Sequence, residues 1–131
     1  MQCNPANIRI LVTMAALFLV PATASVAEED INSGNFWLRH CEKTITTLDR
    51  DRGAPFVFED GICMGTAQAA TNALELPPNP TICPPERASD YQSLRVIVNY
   101  LQSHPQDLHK RFRFLAVMAL RDAWPCPAQS R

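Results

Sequence analysis

The sequence predicts an all-α fold, a small disulfide-bonded bundle of about four helices arranged as two antiparallel hairpins. Three observations lead there. Apolar residues recur at helical spacing in four segments, no segment has both strand alternation and a partner to pair with, and four cysteines bracket the two inter-helix turns.

The clearest segment runs over residues 89–126. Ser89 with Gln92 three residues on is a capping box, so a helix begins there. Leu94, Ile97, Val98 and Leu101 then fall at i, i+3, i+4 and i+7 on one helical face. His104-Pro105 ends that helix, because the residue before a proline is pushed out of the α region. Pro105 is expected to open the next helix, where its missing N–H is tolerated. Phe112, Leu115, Ala116, Ala119, Leu120 and Ala123 repeat the stripe as far as Trp124-Pro125. So short a turn makes the two helices antiparallel neighbours.

Taken from the start, residues 1–27 read as a signal peptide. Arg9 gives a basic region, residues 10–20 an apolar core, and Ala22-Thr23-Ala24 and Ser25-Val26-Ala27 two small-x-small cleavage sites. The apolar run is shorter than the ~20 residues a membrane span needs. Cys3 precedes the apolar core, which argues against lipoprotein acylation. The remaining domain, 28–131, is expected to be exported to the periplasm as one module of roughly 105 residues.

Its first helix is expected from 33 or 35 to 48, with Asn32 or Ser33 as N-cap and Trp37 or Leu38, Cys41, Ile45 and Leu48 facing inward. Gly53 and Pro55 punctuate the turn, and Phe56-Val57-Phe58 reads as an apolar lead-in to a second helix over 59–74. That helix carries Gly61, Gly65, Ala69 and Ala73 four apart. Glycine inside a helix costs roughly 1 kcal/mol relative to alanine, so the ridge predicts close approach by a neighbouring helix or a second copy. Residues 76–88 hold five prolines around Cys83 and read as a stiff loop, either a recognition surface or a rigid connector.

Four cysteines in an exported domain imply two disulfides. Cys41 and Cys63 lie 11 residues either side of Arg52, at equal height in an antiparallel pair, so Cys41–Cys63 is preferred. Cys83 and Cys126 bracket Pro105 nearly as symmetrically, so Cys83–Cys126 is the preferred second pair.

Function classes then narrow. The net charge is −1 with no basic stripe, which disfavours nucleic acid. Bridged cysteines leave no thiolate for catalysis beside His40. No C-x-x-C or H-x-x-x-H spacing offers a metal site, and no glycine-rich loop a phosphate site, so no enzyme, metal or cofactor is expected. Glu59-Asp60 and Glu86 read as helix-end charges.

Binding is left. The order Ser33-Gly34-Asn35, Leu38, Cys41, Cys63-Met64-Gly65, Cys83-Pro84, Tyr100-Leu101, His104-Pro105 and Trp124-Pro125-Cys126-Pro127 resembles the Rap/Tai family across the mature chain. Those are periplasmic immunity proteins against type VI secretion amidase effectors. The resemblance implies an all-α disulfide-bonded domain, often a homodimer, that occludes the active-site cleft of a papain-like peptidoglycan amidase. Partner contacts would then fall in the stiff loop at Glu86 and Arg87 and at the third turn at His104, Gln106 and Asp107. The alternative is an HdeA-like periplasmic stress chaperone that opens in acid to hold unfolded clients, with a lipid or small-ligand carrier third.

Overall fold

In a computed structural model, residues 29–77 and 80–127 are described; the expected signal peptide lies outside them. Four helices follow in order: α1 (Gly34–Arg50), α2 (Phe58–Glu75), α3 (Asp90–Ser103) and α4 (Phe112–Ala123), with a single 3-10 turn (Pro105–Asp107) before the last. Each start has a local cause. The Ser33 hydroxyl accepts from the Phe36 N–H and caps α1, and Ser89 accepts from the Gln92 N–H and caps α3. At α2 the N-cap is Val57, which has no oxygen to offer. Asp60 compensates: its carboxylate accepts from the Val57 N–H at 3.0 Å and from the Thr44 hydroxyl of α1 at 2.5 Å. A residue read from sequence as a dipole-complementing charge therefore also joins two helices.

The expected start of the last helix is corrected. Pro105 opens only the 3-10 turn, and α4 begins at Phe112. The intervening backbone is committed elsewhere. The Leu108 and Lys110 carbonyls accept from the Asn35 and Gly34 N–H groups, and the Phe112 N–H donates to the Asn32 carbonyl, each within 2.9 Å. A continuous helix would need those same groups. Gly34 is what lets the segments meet, since a Cβ there would lie 2.5 Å from Leu115 Cδ1 and 3.1 Å from the Leu108 carbonyl oxygen.

The core collects Leu94, Ile97, Val98 and Leu101 of α3, Phe112, Leu115, Ala116, Ala119 and Leu120 of α4, Cys41 of α1, and Cys63 and Ala67 of α2. α2 packs on α1, α3 and α4, its most extensive contact being with α3; α1 and α4 meet at their N-terminal turns, where Gly34 lies against Leu115 and Trp37 stacks on Phe112. Where α2 meets α3, the buried Thr71 and Ser93 hydroxyls pair at 3.0 Å. The Cys41–Cys63 disulfide sits inside this core with Cα atoms 5.5 Å apart, and Cys83–Cys126 closes the proline loop onto the end of α4 at 4.8 Å.

For the small-residue ridge, the expected close approach by a neighbouring helix is corrected. Among the described residues, Gly61 and Gly65 have no atom within 4 Å of where a Cβ would stand. Ala69 and Ala73 are exposed as well. No helix among the described residues is long and apolar enough to cross a membrane.

Candidate partner-binding surfaces

The proline loop ends in a turn closed by the Ala88 N–H on the Pro85 carbonyl at 2.8 Å, which holds Glu86 and Arg87 out in solvent. Its other half is not mere surface. Ile82, amid the prolines, is buried in the core, and the Cys83 N–H donates to the Trp124 carbonyl at 2.9 Å. The Thr81 N–H reaches back to the Leu74 carbonyl at 2.7 Å. The loop is thus anchored by a side chain, backbone bonds and a disulfide, and presents its charged tip on a fixed base.

His104 caps the other end of α3. Its ring stacks on Tyr100, centroids 3.9 Å apart, and its Nδ1–H donates to the Tyr100 carbonyl at 2.8 Å. That bond takes one of the last carbonyls of α3. Gln106 projects from the 3-10 turn, fully available to a partner. Asp107 accepts from Lys110 Nζ at 2.7 Å, and this bond, with the ammonium charge, holds its carboxyl below the ordinary aspartate range. It stays ionised in mildly acidic medium.

The structure does not bring these two groups together. Arg87 precedes the N-cap of α3 and His104 is its C-cap, so a 14-residue helix of about 1.5 Å rise per residue separates them. They lie roughly 20 Å apart, at opposite poles of the helix.

Three features went unread in the sequence. Ile82 is a core residue hidden in a loop whose prolines dominate the pattern. Near the start of α3, the Tyr91 hydroxyl donates to Asp49 Oδ1 at 2.5 Å, with Arg95 Nη1 3.5 Å from the same oxygen. Partial burial, then the Asp49 bond and charge, push the Tyr91 phenol above its ordinary value, while Arg95 and Arg52 pull the other way. Beside this triad an open cleft of about 370 Å³ is lined by Leu48, Arg52, Phe56, Ser89 and Tyr91. The third is a set of exposed large apolar side chains, Phe58 at the start of α2 and Phe114 with Met118 on α4. Its signal was available: Phe114 and Met118 are four apart, one step round the helix from the buried stripe.

No group of acidic, histidine or cysteine side chains among the described residues has the arrangement of a metal site. All four cysteines among the described residues are bridged and so not available as thiols.

Comparison with known proteins places the chain. A family model described as Rap1a immunity proteins matches residues 33–126, from the N-cap of α1 to the last cysteine. No curated protein and no solved structure matches the chain. The chain belongs to the Rap1a immunity protein family, and its function is to be sought in binding an effector.

Proposed function

We propose that this member of the Rap1a immunity family is a non-catalytic periplasmic inhibitor of a papain-like peptidoglycan amidase delivered by type VI secretion. It works by occluding the amidase's active-site cleft, and it needs no cofactor. The observation that carries the reading is the family match, which spans every helix of the fold.

Other features support it. Two disulfides suit an oxidising compartment such as the periplasm, in keeping with a cleaved signal over 1–27 and a mature domain over 28–131. A binder that blocks a cleft gains from rigidity, because little entropy is lost when it docks. The anchored loop has that property, so Glu86 and Arg87 are the proposed primary contacts. His104, Gln106 and Asp107, at the far pole of α3, serve as a second contact only for a partner large enough to reach both. A homodimer, which the resemblance also implies, supplies another way for two distant patches to face one cleft.

The test is a peptidoglycan-cleavage assay on the purified product of the neighbouring gene, with the oxidised mature domain added in increasing amounts. Cleavage is expected to stop at a fixed stoichiometry. Arg87→Ala with Asp107→Ala should weaken inhibition without altering the circular dichroism spectrum. Undiminished cleavage at excess inhibitor would remove the amidase reading, and full inhibition by the double variant would remove those two residues.

A further inference from the structure

The cleft at the start of α3 is walled by three parts of the chain: Leu48 of α1, Arg52 and Phe56 of the turn after it, and Ser89 and Tyr91 of α3 with its cap. Phe56 is 56 % exposed, and Leu48 and Tyr91 are half-buried, so apolar surface in the cleft stays open to water. The Tyr91 side chain is held in place. Its hydroxyl donates to Asp49 Oδ1 at 2.5 Å, and the Arg95 guanidinium lies 5.7 Å from its ring centroid. The polar groups leave a charge unanswered. Asp49 is occupied by Tyr91 and Arg95, and Asp51 Oδ1 accepts from the Gly53 N–H at 2.8 Å. Among the described residues Arg52 makes no ion pair. The Ser89 hydroxyl accepts from the Gln92 N–H at 3.2 Å, which leaves its own O–H to donate. Asp90, in the first turn of α3, does not line the cleft. An apolar hollow is thus edged by a cation and a hydroxyl donor, with no carboxylate in its lining.

We infer that this cleft is a docking pocket for the effector, taking one large apolar side chain from a segment that carries a carboxylate beside it. The inference rests on the immunity reading above and adds a contact which that reading does not contain. The apolar group covers Leu48, Phe56 and Tyr91. The carboxylate pairs with Arg52, whose planar guanidinium offers two parallel donors, and accepts from the Ser89 O–H. An apolar centre with a charged rim is the general anatomy of a protein interface, and aromatic and arginine side chains are its usual anchors. Because Tyr91 is already held, docking immobilises little that was free.

Two observations choose a protein segment over a free small molecule. The cleft, about 370 Å³, is open, so a small ligand would keep one side in water. Pockets for such ligands cover roughly 70–90 % of the ligand's surface. A side chain on a docked protein has its other side covered by its own chain. The cleft also continues the proposed contact surface. Ser89 is two residues from Arg87, so their Cα atoms lie no more than about 7 Å apart. A partner that contacts Arg87 reaches the cleft without leaving that surface.

The experiment has two arms, both on the oxidised mature domain. In the first, N-acetyl-phenylalanine and its neutral amide are titrated separately while backbone amide NMR signals are followed. The acid should move the Arg52, Ser89 and Tyr91 signals at about millimolar concentration, and the amide should bind at least about fivefold more weakly. Equal binding of the two, or no movement at those residues, would overturn the pocket. In the second arm, Arg52→Gln and Phe56→Ser are compared with the wild type in inhibiting peptidoglycan cleavage by the purified product of the neighbouring gene. Both side chains are exposed and neither belongs to the core, so both variants should melt with the wild type. Each should inhibit at least about tenfold more weakly. Full inhibition by either variant, beside an inhibiting wild type, would overturn the docking alone. If the acid still bound, the cleft would then be a small-ligand site. A wild type that does not inhibit would sink the immunity reading, and the effector as occupant with it.

Discussion

The two disulfides close loops in quite different surroundings. Cys41–Cys63 joins α1 to α2 with both residues fully buried among core side chains. Cys83–Cys126 joins an irregular loop to the chain just past α4, with Cys83 exposed and Cys126 half-buried. The first cross-links elements that already pack; the second holds a segment that no helical or sheet ladder would hold. Loop entropy and packing rank them in opposite order. By loop length alone, the sequence separations of 22 and 43 give about 3.4 and 4 kcal/mol, favouring the outer bridge. By burial the inner bridge matters more, because its loss also leaves a gap in a close-packed core. The inner bridge is a lock on the fold, and the outer one a clasp on a surface.

The contrast can be broken most readily by removing each bridge. Cys41→Ala with Cys63→Ala should cost more than about 4 kcal/mol in urea unfolding, the loop term plus lost packing. Cys83→Ala with Cys126→Ala should cost less than the inner pair, and leave the helical circular dichroism in place. The reverse order would show that loop entropy governs this domain and packing does not.

Ile82→Ala sharpens the outer half of the comparison. Ile82 of the proline loop belongs to the core cluster, so its truncation should cost about 2–4 kcal/mol while both disulfides remain formed. A loss well below 1 kcal/mol would mean the clasp holds the loop without help from packing. On the exposed side of α2, Gly65→Ala should stabilise the isolated domain by up to about 1 kcal/mol, since the added methyl enters open space.

The smallest effect concerns Tyr91. Its phenol is raised in the folded chain, so the protonated form is favoured on folding, and this contribution is complete below the ordinary phenol range near 10. It is lost as pH rises through the raised folded value. With the ring partly exposed, Tyr91→Phe should cost about 0.5 kcal/mol at neutral pH and nothing at strongly alkaline pH. A pH-independent difference would mean that the Asp49 bond contributes nothing.

What the sequence made legible follows the same divide. α1 and α3 could be read because Ser33 and Ser89 cap them and their buried faces repeat at helical spacing. The bridges could be read because cysteine geometry on paired helices is restrictive. The start of α4 was misread, since Pro105 satisfies the local rule for a helix start. The competing backbone bonds come from Asn32, Gly34 and Asn35, far earlier in the chain, where no local rule reaches. Ile82 was missed for a related reason: a single apolar residue between prolines has no periodicity to betray its burial. The binding residues were legible only as positions. That Glu86 and Arg87 stand on an anchored base, and that the α3 helix separates them from His104, depended on tertiary contacts.

The division between lock and clasp is tested most directly by limited reduction. The oxidised domain would be treated with graded dithiol, alkylated, and mapped by mass spectrometry, with circular dichroism followed throughout. A species with Cys83 and Cys126 alkylated, Cys41–Cys63 intact and helicity unchanged should accumulate first, because a buried bridge is reached only when the core opens. Simultaneous labelling of all four cysteines, or earlier labelling of Cys41 and Cys63, would contradict the account.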